Sequence, residues 1–70
     1  MIITIHNQAT GEQARTVTFE NAASISSLLE EASITLQEGQ VLKVNGIEKN
    51  PYDMISRDSL VVIAKAAKGA

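Results

Sequence analysis

The chain has 70 residues and no cysteine, so the expectation is one domain near the lower size limit, held by packing alone, without a disulfide or thiolate metal site. Apolar residues make up 44% of it, yet only Phe19 and Tyr52 are aromatic, so the core must be built from Ile, Leu, Val and Ala. Six basic residues against eight acidic ones give a formal net charge of -2, which argues against nucleic acid as a partner, since a phosphate grip rests on clustered Lys and Arg.

The opening Met-Ile-Ile-Thr-Ile run is too short for a signal peptide, and no apolar stretch approaches membrane length, so a cytoplasmic protein is expected. Within that run Met1, Ile3 and Ile5 alternate with Ile2, Thr4 and His6, which predicts a first strand. Turn formers from Asn7 to Gln13 predict a polar, mobile loop. A second strand follows over Thr16-Val17-Thr18-Phe19, with Val17 and Phe19 on one face.

From Asn21 the period changes, and Ile25, Leu28, Leu29 and Ala32 form the stripe of a helix of about three turns with Ser24 as its N-cap. Ser27 at the third helical position does not complete a capping box, and Glu30 and Glu31 lie at the end less favourable for negative charge. Such a helix needs a sheet to lie on. Val41-Leu42-Lys43-Val44 runs into Asn45-Gly46, a type I′ hairpin signal, and Ile47-Glu48-Lys49 is the short return strand. Asn50-Pro51 ends it, after which Tyr52 to Ser56 reads as a loop dipping inward at Met54 and Ile55, with Tyr52 as an anchor. Past a charged turn at Arg57-Asp58-Ser59, the run Leu60-Val61-Val62-Ile63-Ala64 predicts a central strand buried on both faces.

This order places the first and last strands side by side and parallel at the centre of a mixed four- to five-stranded sheet with one helix packed across it. The fold class is therefore α+β, of the β-grasp or ubiquitin-like kind, over residues 1–65. Residues 66–70 show no alternation and little apolar mass, which predicts a flexible C-terminal tail. No catalytic set is present: His6 stands alone, no nucleophile elbow surrounds a serine, and there is neither a metal-binding loop nor a phosphate cradle. The chain is expected not to be an enzyme and to need no cofactor.

Leu42-Lys43-Val44-Asn45-Gly46-Ile47, then Ile55, the polar turn, Val61, Ile63 and Lys68-Gly69 resemble the small sulfur-carrier proteins of thiamin and molybdopterin synthesis, the ThiS/MoaD family. Ser24-Ile25-Ser26-Ser27-Leu28-Leu29-Glu30 is similar to that family's helix opening. The resemblance implies that a partner adenylating enzyme activates the C-terminal carboxylate, after which a thiocarboxylate delivers sulfur. A tail without bulky side chains suits threading into a narrow channel. Lys68, Gly69 and Ala70 then form the activation tail, with Ala70 standing where the family has its terminal glycine. The family's Asp-Gly-Asp turn is replaced here by Arg57-Asp58-Ser59, where Asp58 is expected to tolerate a left-handed backbone. Ile2, with apolar positions of the last strand, and Lys65 are candidate partner-docking residues. Ubiquitin-like modifiers and TGS-type RNA-associated domains share the Asn-Gly hairpin and final apolar strand. Two other readings therefore stay open: a non-catalytic β-grasp interaction module with an inert tail, and a TGS-like domain.

Overall fold

The N-terminal alternation forms β1 (Ile2–Asn7), paired antiparallel with β2 (Arg15–Thr18), and Phe19 extends the hairpin by donating its N–H to the Met1 carbonyl at 3.0 Å. The structure is a computed structural model and describes residues 1–65, so the expected tail, 66–70, lies outside the described residues. The loop after β1 is tied down in its first half. Gln8 and Ala9 both donate N–H to the Ile63 carbonyl, and Asn7 accepts from Gly11 and Thr10 through its backbone and side-chain oxygens.

Two short segments escape the alternation rule: β3 (Ala23–Ser24) and β6 (Met54–Ile55) form a two-residue antiparallel ladder. This ladder sets the start of α1 (Ile25–Glu31). The first three helical N–H groups, which have no partner within a helix, donate to the Asp53 carbonyl, the Pro51 carbonyl and Ser24 Oγ. The Asn50–Asp53 turn is thus a helix cap as well as a strand terminator. It is closed by Asp53 N–H to the Asn50 carbonyl and by Asn50 N–H to Asp53 Oδ2.

At seven residues α1 is two turns long, shorter than the apolar stripe predicted. Ala32 is its C-cap, and Ser33 takes a left-handed φ of 58°, so the Ser33 and Ile34 N–H groups bond back to the Glu30 and Leu29 carbonyls. That is a Schellman ending built on serine where glycine is usual. Arg15 also donates to the Ala32 carbonyl at 2.6 Å, fastening the helix end to β2.

β4 (Gln40–Val44) and β5 (Ile47–Lys49) form the predicted hairpin, with positive φ at both Asn45 and Gly46 as a type I′ turn requires. The last strand, β7 (Ser59–Lys65), lies between β1, to which it is parallel, and β4, to which it is antiparallel. The full sheet order is β2-β1-β7-β4-β5, the mixed five-stranded sheet expected, with α1 across one face. Ile3 and Ile5 of β1, Leu42 of β4, and Val61 and Ile63 of β7 meet Ile25, Leu28 and Leu29 of the helix in one dry cluster. Each such aliphatic side chain contributes about 1.5–3 kcal/mol on full burial.

β7 is buried on one face only, not on both as its β-branched run predicted. Val61 and Ile63 are fully covered, whereas Leu60 is 45% exposed and Val62 and Ala64 are half-buried. With a single helix among the described residues, no second layer of theirs closes the other side. Of the residues expected to dip inward from the loop, Ile55 does and Met54 does not. Tyr52 is 87% exposed and anchors nothing, because Pro51 and Asp53 hold the loop through their carbonyls.

Candidate functional site

The open face of the sheet follows directly from the register. Thr4 stands beside Leu60, His6 beside Val62, Lys43 beside Val62 on the other flank, and Val41 beside Ala64. The apolar positions on this face come mainly from β7 and β4 and lie on the side of the sheet away from the helix, where strand alternation puts them. Ile2 is 52% exposed, and with Thr4, Asp58 and Leu60 it lines a shallow depression at the lower end of the face.

That lower end is stitched by side-chain oxygens. Asn45 donates its backbone N–H to the Leu60 carbonyl at 2.9 Å, and Asn45 Oδ1 accepts the Leu60 N–H at 3.0 Å. The β4–β5 turn is therefore bonded to the start of β7 through one residue, which fixes where the Leu60 side chain emerges. Asp58 acts likewise on the other flank, with Oδ1 accepting the Ile2 N–H at 2.7 Å. The expectation that Asp58 carries a left-handed turn is not met. Among the described residues only Ser33 and Asn45, besides glycines, have positive φ. A glycine at 58 would supply no such acceptor, so the Arg57-Asp58-Ser59 sequence uses a side chain to close the corner.

The two candidate docking residues fall at opposite ends of the sheet. Ile2 lies beside the start of β7, whereas exposed Lys65 is its last residue, opposite Gln40. Six steps along β7 from Ser59 to Lys65, at about 3.3 Å each, put roughly 20 Å between those ends. The structure brings Ile2 together with Leu60, and Lys65 marks where β7 hands over to 66–70. Lys68, Gly69 and Ala70 lie outside the described residues. Which apolar positions of the last strand face outward, Leu60 and Val62, was not legible in the sequence, because five apolar residues in succession carry no alternation. Counting helices would have found it, since one helix leaves one side of a central strand uncovered.

Among the described residues no group of His, Cys, Asp and Glu is arranged to hold a metal ion, and no helix is long and apolar enough to cross a membrane. His6 is half-buried on the open face. The geometry offers a surface and a strand end.

This arrangement of a parallel central pair gripped by one helix is the ubiquitin-like β-grasp fold. Over its whole length the chain superposes on SAMP1 from Haloferax volcanii, with a TM-score of 0.76 and 10% sequence identity, covering 100% of both chains. It superposes equally completely on the thiamine biosynthesis protein ThiS from Geobacter metallireducens, with a TM-score of 0.64 and 18% identity. No protein-family model and no curated protein matches the sequence.

Proposed function

We propose that this chain is a ubiquitin-like, ThiS/MoaD-like carrier acting in the cytoplasm, a substrate and not a catalyst, whose C-terminal carboxylate is activated by a partner adenylating enzyme. The observation that carries the reading is that β7, a central strand of the sheet, ends at Lys65, five residues before Ala70 in the sequence. Full-length likeness in fold to a protein named for thiamine biosynthesis supports the same reading.

In this reading the open face, centred on Ile2 and Leu60, docks on the enzyme. Segment 66–70 then threads into its channel, with Gly69 giving backbone room next to the carboxylate of Ala70. The carboxylate attacks the α-phosphorus of ATP, releasing pyrophosphate and forming an acyl-adenylate. Hydrosulfide, as the sulfur donor, then attacks the acyl carbon, the bond from that carbon to the AMP oxygen breaks, AMP leaves, and a thiocarboxylate remains. Lys65 and Lys68 carry positive charge that complements an acidic channel rim.

The experiment is to incubate the chain with ATP, a candidate adenylating enzyme and a sulfur donor, and to read the intact mass. The carrier reading expects a gain equal to one oxygen exchanged for one sulfur, localised to the C-terminal peptide. Ala70 in place of the family's terminal glycine favours a second reading, a β-grasp interaction module with an inert tail. A mass gain seen only after Ala70→Gly, with none in the unaltered chain, would decide for that module.

A further inference from the structure

The sheet has two edges, and they differ. On β2 three of the four residues are Arg15, Thr16 and Thr18, and the apolar Val17 packs against the core. On β5 all three residues are exposed, and Ile47 is 62% exposed. Single exposed apolar residues are ordinary. Here Ile47 faces Met54, itself 63% exposed, across a groove of about 320 Å³ whose other walls include Val44, Ile55, Lys49 and Arg57.

Both charged residues of that groove are cationic, on a chain whose net charge is -2. Glu48 does not offset them, because it pairs with Lys43 on the opposite face of the sheet. The backbone is also available. The two-residue turn closes on Val44 and Ile47 as a hydrogen-bonded pair, so Lys43 and Glu48 form the next, non-hydrogen-bonded pair. The N–H and C=O of Glu48 therefore point away from β4, off the edge of the sheet.

We infer that the β5 edge is a docking site for an extended segment of a partner protein, added as a further strand, with aliphatic and acidic side chains on its groove-facing side. Main-chain bonds at Glu48 hold such a strand, and the groove reads its alternate side chains. Aliphatic positions lie against Ile47 and Met54, and carboxylates lie against Lys49 and Arg57. A second copy of this chain fits poorly, because edge-to-edge pairing would set two cationic grooves together. The site is on the helix side of the sheet and leaves the open face free.

The test uses the full chain, ¹⁵N-labelled, titrated with the peptide Val-Thr-Val-Thr-Glu-Thr-Glu, whose alternate residues match the groove. Saturable amide shifts are expected at Ile47, Glu48, Lys49, Met54 and Arg57, with Thr4 and Val62 unmoved. The peptide with both glutamates replaced by lysine should bind at least about tenfold more weakly, as should the K49E/R57E double variant, and rising salt should weaken binding. Glu48→Pro removes the outward donor without touching a hairpin hydrogen bond, and should lower affinity while the far-ultraviolet circular dichroism stays that of the parent. Any of four results overturns the inference: no saturable shift up to about 1 mM peptide, equal affinity for the lysine peptide, shifts confined to the open face, or tighter binding of a thymidine oligonucleotide or of a second copy.

Discussion

Leu60 and Val61 are neighbours in one strand and belong to different worlds. Val61 is fully covered by the helix layer, and Leu60 is 45% exposed on a face that none of the described residues covers. The two sides of this sheet are almost equally apolar in sequence along β7, so hydrophobicity did not choose between them. The helix did, and only because its own start is fixed by the Pro51 and Asp53 carbonyls and its end by Ser33. Among the described residues the far side of the sheet carries no second layer, so Leu60 stays half in water there.

The comparison breaks most severely where the closed side is opened. Leu28→Ala removes a fully buried side chain at the centre of the helix-sheet contact, and about 3 kcal/mol of stability should go with it. At roughly 0.1 kcal/mol per residue a domain of this length holds about 7 kcal/mol in all, so the loss is a large fraction. Urea unfolding followed by circular dichroism measures it as a lower midpoint with unchanged slope.

A smaller effect is expected at the corner joining the two sides. Asn45→Ala both deletes the acceptor for the Leu60 N–H and forces a non-glycine, non-asparagine residue to φ 51°, at a cost of about 2 kcal/mol. Asn45→Gly keeps the backbone easy and loses only the bond, so it should cost about half as much. Equal losses for the two variants would mean that the side-chain bond is the whole effect and that the turn carries no strain.

Ser33→Gly should move stability the other way. Ser33 holds the left-handed position of the helix ending, where glycine has no Cβ penalty, and a gain of roughly 0.5–1 kcal/mol is expected. A thermal melt would show it as a rise in midpoint of a few degrees, about what that gain gives in a domain of this size. A loss instead would show that the serine hydroxyl has a role in the ending which its backbone geometry does not reveal.

How much of this was legible beforehand varies with how local the signal is. Asn45-Gly46 announced its own turn, and Ser24 its cap, because each needs only its immediate neighbours. The helix is shorter than its apolar stripe: Ala32 continues the stripe, but Ser33 leaves the helix, and nothing in serine's chemistry marks a left-handed stop as glycine would. Tyr52, a lone aromatic beside proline, looks like an anchor in the sequence, but the anchoring is done by the backbone carbonyls on either side of it. The pairing of Ile2 with Leu60 needed the β1–β7 register, a contact between residues far apart in sequence.

The smallest expected change in stability is also the most direct test of what the open face is for. Leu60→Ser removes apolar surface that is already half in water, so the unfolding free energy should change by no more than about 0.5 kcal/mol. Its backbone N–H and carbonyl keep their bonds to Asn45, so the corner should survive. If the face docks an adenylating enzyme, the same variant should slow the mass gain at the C-terminus about tenfold, since about 1.4 kcal/mol of apolar contact is lost from the interface with the leucine side chain. The loss should appear in KM and not in the single-turnover rate at saturating enzyme, because the substitution leaves Gly69 and Ala70 unaltered. A variant that is both stable and fully competent would move the docking surface off this face while leaving the fold as it stands.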